Sequence, residues 1–117
     1  MDFNYNIEEN NGITVINFKG NLIEKSQAID LMDAFDDLLK RERNRVVVDM
    51  AEFGYMNSTG LNVLIQILTK ARKSGGEAVI SSVPENIRSL MLITKLNSIF
   101  TVVDNKQEAE KFLLKEA

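Results

Sequence analysis

The sequence predicts a single α/β domain, with a mainly parallel β-sheet, an N-terminal β-hairpin and helices packed on the sheet. Three observations predict this fold class. The first segment alternates apolar and polar side chains, the rest alternates strand-like and helix-like segments, and 117 residues fit one domain. The predicted order is β-β-α-β-α-β-α-β-α, within one domain that spans residues 1–117.

The N-terminal hairpin is predicted from period-two alternation followed by a turn. Polar residues separate three apolar positions of the first strand, namely Phe3, Tyr5 and Ile7. Asn10-Asn11-Gly12 then signals a tight turn, because Asn and Gly tolerate positive φ. Residues 13–19 are rich in β-branched and aromatic side chains, which predicts the partner strand, and Gly20 is expected to close it.

The middle of the chain alternates helices and buried strands. Apolar residues at helical spacing predict an amphipathic helix over residues 26–43. The apolar run of residues 45–50 is typical of a buried parallel strand. A second helix is predicted over residues 58–73, which Ser74-Gly75-Gly76 ends, and residues 77–81 are the next strand.

The last third of the chain repeats the alternation. Pro84 suits the first turn of a third helix, which extends to about Thr94. Residues 99–103 are predicted as a strand. Asp104, with Gln107 three residues on, resembles a capping box at the start of the last helix. The apolar positions of that helix are Ala109, Phe112 and Leu113.

The composition excludes several classes of function. The chain has no His and no Cys, which excludes a Ser-His-Asp triad, a thiol nucleophile and the usual zinc or iron–sulfur sites. Gly54 and Gly60 are separated by five residues and Leu61 follows them, so they make no phosphate-binding P-loop. We therefore expect no cofactor. The scattered carboxylates are interpreted as solvated charges, and no metal site is expected.

Charge and hydropathy indicate a cytoplasmic protein that does not bind nucleic acid. The net charge of −3 argues against a nucleic-acid partner. No apolar run approaches membrane-spanning length, and residues 1–11 do not resemble a signal peptide. Lys40, Arg41 and Arg43 are interpreted as cations that suit a helix C-terminus, with an anion-binding patch as the alternative. A monomer is expected.

The segment of residues 49–61 is the most informative part of the chain. It joins a buried strand to a helix, and the carboxyl ends of parallel strands are where sites collect. Asn57, Ser58 and Thr59 are all residue types favoured at a helix N-cap. The residues alone leave two interpretations open, namely a functional site or a well-capped helix start without further function.

The same segment resembles the signature of STAS domains. Tyr55-Met-Asn-Ser-Thr-Gly-Leu61 after Val46-Val-Val-Asp-Met50 is most similar to the anti-sigma-factor antagonists among them. Weaker anchors extend the resemblance over nearly the whole chain. They are Gly20-Asn-Leu22, Ser74-Gly-Gly76, Val83-Pro84, Leu96 to Phe100 and Glu108-Ala109.

The resemblance implies a binding switch in transcription regulation and stress response, and not an enzyme. In this family the unphosphorylated antagonist binds an anti-sigma factor that is also a serine kinase, which releases the sigma factor. The kinase then phosphorylates one serine of the antagonist, and a serine phosphatase resets the cycle. That serine falls on Ser58 here, with Thr59 as the alternative. The expected partner-binding residues are Asn57, Ser58, Thr59, Gly60 and Val63.

Two positions depart from the family pattern. Asn57 stands where the family often has Asp before the phosphoacceptor. Ile23 stands at a second such Asp position, with Glu24 next. Both positions lie near the region that the family uses to meet its kinase. The departures imply less efficient phosphorylation or a divergent partner.

Physical reasoning assigns roles to the residues around Ser58. Free N–H groups and the positive end of the helix dipole are expected to hold a phosphate there. The Thr59 hydroxyl is expected to bond a backbone group, and Gly60 to keep the backbone beside the acceptor accessible. Val63 and Ile67 are either packed in the core or exposed for a partner. The run of residues 90–93 allows the same two interpretations, with the core favoured.

Two other functions stay open from the sequence. The first is a STAS subunit of another assembly, of lipid-transport or stressosome type, in which Ser58 is only a cap. The second is a small hydrolase or isomerase that uses Ser58 or Lys70 with carboxylates. The two predict different surfaces around Ser58, since an enzyme needs a pocket and a nearby base.

Overall fold

The computed structural model describes residues 2–115, without the side chain of Asn97. The strands are β1 Phe3–Asn10, β2 Ile13–Leu22, β3 Arg45–Met56, β4 Glu77–Ser81 and β5 Thr101–Val103. The helices are α1 Ile29–Lys40, α2 Ser58–Lys73, α3 Glu85–Ile93 and α4 Lys106–Lys115, and Lys25–Ala28 and Leu96–Ser98 are 3-10 turns. The predicted α/β order is confirmed. The predicted domain of residues 1–117 includes positions 1 and 116–117, which lie outside the described residues.

The five strands form one sheet in the order β1-β2-β3-β4-β5. β1 pairs antiparallel with β2, and β2 to β5 pair in parallel, so the predicted hairpin and mainly parallel sheet are confirmed. Neighbouring residues of a strand point to opposite faces. Ile16 of β2 therefore joins the larger core with α1, α2 and α3, whereas Val15 joins a smaller core with α4.

The hairpin forms as predicted, but β2 is longer than expected. Asn11 and Gly12 have φ of 55° and 79°, which makes a two-residue turn between the paired residues Asn10 and Ile13. The prediction that Gly20 closes β2 is wrong, because the strand continues to Leu22. A cluster of three aromatic rings, Phe3, Phe18 and Phe53, stabilises this region, with centroid distances of 5.2 to 6.2 Å.

β3 also extends beyond its predicted end at Met50. It continues to Met56 because the second half of β2 supplies a partner, with Lys19 opposite Glu52 and Leu22 opposite Met56. The predicted end of the strand at residue 50 is therefore wrong, and residues 51–56 of the joining segment lie in the sheet. The backbone that leads to α2 is held in the sheet until two residues before Ser58.

Side-chain and backbone caps shorten the first predicted helix. Its first turn is a 3-10 turn, in which the Gln27 Oε1 accepts hydrogen bonds from the N–H groups of Ile23 and Glu24. Its end lies at Lys40, not residue 43, because Glu42 adopts a left-handed conformation with φ of 61°. The second helix ends as predicted, with Gly75 at φ of 88°.

The C-terminal elements differ from prediction at their ends. α3 follows Pro84 as expected. β5 begins at Thr101, not residue 99, because a 3-10 turn precedes it. Asp104 is not the cap of α4: Asn105 Oδ1 accepts from the N–H of Glu108 at 2.9 Å, and the Asn105 carbonyl accepts from that of Ala109.

Two of the basic residues near the end of α1 pair with carboxylates. Arg41 lies 3.3 Å from Asp37, and Arg43 lies 3.4 Å from Glu9. This arrangement favours the structural interpretation of these cations over an anion-binding patch. None of the helices within residues 2–115 is both long and apolar enough to cross a membrane.

Tyr5 connects β1 to α1 through a hydrogen bond that depends on its proton. Its hydroxyl donates to Asp30 Oδ2 at 2.5 Å. Burial, together with this bond and the charge of Asp30, raises the pKa of Tyr5 from 10.0 to about 12. The folded state therefore holds the proton more tightly than the unfolded chain does. This contribution to stability is fully present below about pH 10 and is lost as the pH rises towards 12.

Tyr5→Phe is therefore expected to flatten the loss of stability above about pH 10, the pKa of an ordinary tyrosine. The measurement is the free energy of unfolding by urea at a series of pH values on either side of that pKa. Tyr55→Phe is the matched control, since Tyr55 is the second tyrosine and is 50% exposed. An identical alkaline slope for Tyr5→Phe and the wild type would contradict this role.

Candidate functional site

Ser58 occupies the first residue of α2, directly after the long strand β3. Its side chain is exposed. Among residues 2–115, no side-chain hydrogen bond holds its hydroxyl, so the oxygen is free to meet a partner. This is the arrangement expected of a modification site at a helix start.

The N-cap of α2 is Asn57, whose amide joins two parts of the chain. Its Oδ1 accepts hydrogen bonds from the N–H groups of Thr59 at 3.0 Å and Gly60 at 3.3 Å. Its Nδ2 donates to the main-chain carbonyl of Ile23 at 3.0 Å. The expectation that these N–H groups are free for a phosphate is therefore wrong for Thr59 and Gly60.

This geometry gives a physical reason for Asn57 where the family often has Asp. A carboxylate would still cap α2, but it has no hydrogen to donate to Ile23. The N–H of Ile23 is held in turn by the Gln27 side chain. Asn57 and Gln27 together fix both polar groups of the Ile23 backbone, and so hold the segment after β2 against the start of α2.

Gly60 allows α2 to approach β2 closely. It is buried, and an added Cβ would lie 2.7 Å from the Leu22 carbonyl oxygen and 2.6 Å from the Met56 Cβ. The expectation that Gly60 keeps the backbone accessible is wrong. Its missing side chain instead makes room for the packing that holds Ser58 in place.

Thr59 differs from Ser58 in exposure. Its side chain is half-buried, whereas that of Ser58 is exposed. The expected bond from the Thr59 hydroxyl to a backbone group is not found among the described residues. The difference in accessibility favours Ser58 over Thr59 as the acceptor of a modification.

The exposed apolar residue at the groove between α1 and α2 is Ile29, and not Val63. Val63 and Ile67 are only 4% and 1% exposed, so the interpretation that they are exposed for a partner is wrong. Val63 lines a groove of about 240 Å³, whose other walls are Lys25, Ala28, Ile29, Met32, Asp33 and Gln66. Ile29 is 61% exposed at this groove. Ile29 lies outside the apolar stripe of α1, and this position could have indicated from the sequence that its side chain is exposed.

The run of residues 90–93 is divided between the core and the surface. Met91 is 2% exposed, whereas Leu92 and Ile93 are 57% and 79% exposed. The expectation that the run belongs to the core is therefore wrong for these two residues.

The geometry does not bring the candidate catalytic groups together. Lys70 pairs with Asp36 at 2.9 Å, and twelve residues of helix, or about 18 Å, separate it from Ser58. Ser58 is absent from the lining of three surface cavities in the described part of the chain. Nor do any three acidic side chains within residues 2–115 form a cluster that could hold a metal ion.

The sequence did not predict that Asp49 would be a buried polar group on the α4 side of the sheet. Asp49 is 3% exposed, and its carboxylate accepts from the Ser81 hydroxyl at 2.7 Å and from the N–H of Ala51 at 3.3 Å. Nearby, a hydrogen bond from Asn17 and the charge of Lys106 lower the pKa of Glu8. These groups satisfy one another, which indicates a structural role.

Comparison with known proteins identifies the family. The family model described as STAS domain matches residues 4–109. The chain belongs to the STAS domain family. It is 21% identical over 109 residues to the anti-sigma F factor antagonist of Paenibacillus polymyxa, covering 93% of each chain.

Solved structures share the STAS fold. An anti-sigma factor antagonist from Mycobacterium paratuberculosis superposes with a TM-score of 0.82 at 19% identity, over 96% of this chain and 94% of the other. The Bacillus cell fate determinant SpoIIAA in its phosphorylated form gives a TM-score of 0.72 at 10% identity, over 93% of this chain and 99% of the other. These superpositions establish that this STAS domain shares its fold with both proteins.

Asn57→Ala is expected to destabilise the STAS domain by about 1–2 kcal/mol, because it removes the N-cap of α2. Asn57→Asp is expected to lose less, since it keeps the cap and loses only the bond to Ile23. Urea unfolding measures both changes, and amide hydrogen exchange at Thr59 and Gly60 separates them. Protection there should fall in Asn57→Ala but persist in Asn57→Asp. Asn62→Ala, on the exposed side of α2, is the control. Equal stability of Asn57→Ala and the wild type would contradict the role of this cap.

Gly60→Ala is expected to destabilise the domain by about 1–3 kcal/mol through overpacking. The new methyl group would meet the backbone of Leu22, which cannot move aside as a flexible side chain can. Thermal and urea unfolding measure the loss, again with Asn62→Ala as the control. An unchanged or higher stability would show that α2 can shift away from β2 without penalty.

Proposed function

We propose that this STAS domain is an anti-sigma factor antagonist that is switched by phosphorylation of Ser58. In its unphosphorylated form it binds an anti-sigma factor that is also a serine kinase, and so releases a sigma factor. Phosphorylation of Ser58 ends this binding, and a serine phosphatase restores it. The observation that carries the proposal is the exposed Ser58 hydroxyl, without a partner among residues 2–115, at the start of α2.

The comparisons support this proposal at the level of the family. The Paenibacillus polymyxa relative is named an anti-sigma F factor antagonist. SpoIIAA, which shares the fold, has been solved in a phosphorylated form, so a domain of this architecture can carry a phosphate and stay folded. Binding to a partner, and not catalysis, is the function we infer, in the cytoplasm and as a monomer.

A phosphate on Ser58 is expected to leave the fold intact. It adds about −1.5 to −2 charges near pH 7. Because Asn57 already occupies two of the N–H groups at the start of α2, the main stabilisation left is the helix dipole, roughly 0.3–1 kcal/mol. A gain this small does not drive a rearrangement of the domain. The phosphate is therefore expected to change the affinity for the partner, and not the fold of the domain.

The partner is expected to contact Ser58 together with the surface beside it. We assign Asn57, Thr59 and Gly60 to the turn that presents Ser58. Val63 is buried and only supports the groove from below, and the exposed Ile29 at the same groove is the apolar contact that the partner would cover. A phosphate at the edge of such a contact would weaken binding, because it adds steric bulk and a charge whose desolvation is unfavourable.

The switch predicts a large difference between two Ser58 variants. Ser58→Ala should bind the anti-sigma kinase constitutively. Ser58→Asp should bind less tightly, and full phosphorylation should weaken binding about 150-fold, since roughly 3 kcal/mol is a typical penalty for an unpaired interfacial charge. Calorimetry with an anti-sigma factor kinase from the same genome measures the affinities. Mass spectrometry after incubation with ATP locates the phosphate.

Thr59→Ala is the matched control, and it should accept phosphate on Ser58 as the wild type does. A phosphate found on Thr59 in the wild type would overturn the assignment of Ser58. Equal binding by the wild type, Ser58→Ala and Ser58→Asp, with no phosphate on any of them, would favour the alternative. In that case the chain is a STAS subunit of another assembly, and Ser58 serves only at the helix start.

A further inference from the structure

A cavity of about 370 Å³ lies beside α3, away from the turn that presents Ser58. Its volume falls within the range of small-molecule sites, which begins near 300 Å³. All of its lining residues but one are apolar. The lining consists of Val83, Arg88, Met91, Leu92, Phe100 and Val102.

Arg88 is the one charged residue of this lining. Arg41, Arg43 and Arg72 each pair with a carboxylate, whereas Arg45, which lines none of these cavities, makes no ion pair with the described residues. The Arg88 guanidinium also makes no ion pair or hydrogen bond with any residue in the described range 2–115. Arg88 is exposed, so its guanidinium offers an unpaired, solvent-accessible positive charge, with several N–H donors, at the edge of a mainly apolar cavity.

Three exposed apolar residues either line the cavity or directly adjoin its lining residues in the chain. Leu92, which lines the cavity, is 57% exposed. Ile93 and Ile99, the chain neighbours of the lining residues Leu92 and Phe100, are 79% and 38% exposed. A ligand with an apolar body would remove part of this surface from water, which is favourable in proportion to the area covered.

We propose that this cavity binds a small monocarboxylate with an apolar body. The guanidinium of Arg88 matches a carboxylate in shape and charge and can bind both of its oxygens. The apolar floor of Met91, Phe100 and Val102 has no polar side chain for a second charge, which selects against dianions. The apolar body would lie on this floor with its outer end against Leu92. This site is separate from Ser58 and does not rest on the proposed switch.

Titration with sodium octanoate tests the site in the full chain labelled with nitrogen-15. Saturable shifts are expected at the amides of Val83, Met91, Phe100 and Val102. Octanol and octylamine are the matched probes, since they keep the apolar body and remove or reverse the charge. Both should bind at least tenfold more weakly, the loss expected when one charge-assisted hydrogen bond is removed.

Two arginine variants separate the site from non-specific binding. Arg88→Gln should weaken octanoate binding about tenfold, and Arg88→Lys should recover part of the loss because it restores the charge. Arg41→Gln removes another exposed cation, which lies outside the cavity lining, and should bind as the wild type does. Unfolding by urea checks that each variant is folded. The proposal is overturned if octylamine or octanol binds as tightly as octanoate, if Arg88→Gln binds unchanged, or if no saturable shift occurs at the cavity.

Discussion

The position of Ser58 at the start of α2 depends on the hydrogen bonds of the Asn57 side chain. One amide accepts from two N–H groups at the start of α2 and donates to the carbonyl of Ile23. It therefore ties the helix to the end of β2 at the point where the chain leaves β3. Gly60 makes the same junction sterically possible, because its hydrogen faces Leu22 where a methyl group would clash. The junction fixes the position of Ser58 and leaves its hydroxyl without a hydrogen-bond partner among residues 2–115.

The long pairing of β2 with β3 gives this junction a rigid base. β3 stays in the sheet as far as Met56, and the rings of Phe3, Phe18 and Phe53 pack where β1, β2 and β3 meet. The backbone around Ser58 is therefore expected to move little when a charge is added to this residue. This rigid base supports the proposal that a phosphate on Ser58 would affect partner binding directly, and not through a rearrangement of the domain. The cavity beside Arg88 is lined by other residues, which come from α3, β5 and the segments next to them.

Local signals in the sequence predict most of the fold, because its elements are bounded by local chemistry. Asn11 and Gly12 define the hairpin, and α2 has the predicted bounds. The extension of β3 was not predictable from residues 51–56, because it depends on pairing with a distant segment of β2. For the same reason, the sequence showed Asn57 as a cap but not its bond to Ile23, 34 residues away. Burial of Val63 and exposure of Ile29 depend on how α1 meets α2, which helical periodicity within either helix does not determine.

The order of the strands in the sheet has a consequence for how the chain reaches its fold. Each strand pairs with the next one in the sequence, through either a two-residue turn or one crossover helix. Each pairing therefore joins segments that are close in the sequence, so the loop that it closes is short compared with the whole chain. The sheet can therefore grow one strand at a time in the order of synthesis. On a ribosome, β1 to β3 and the start of α2 would be available to assemble before α4 has been made.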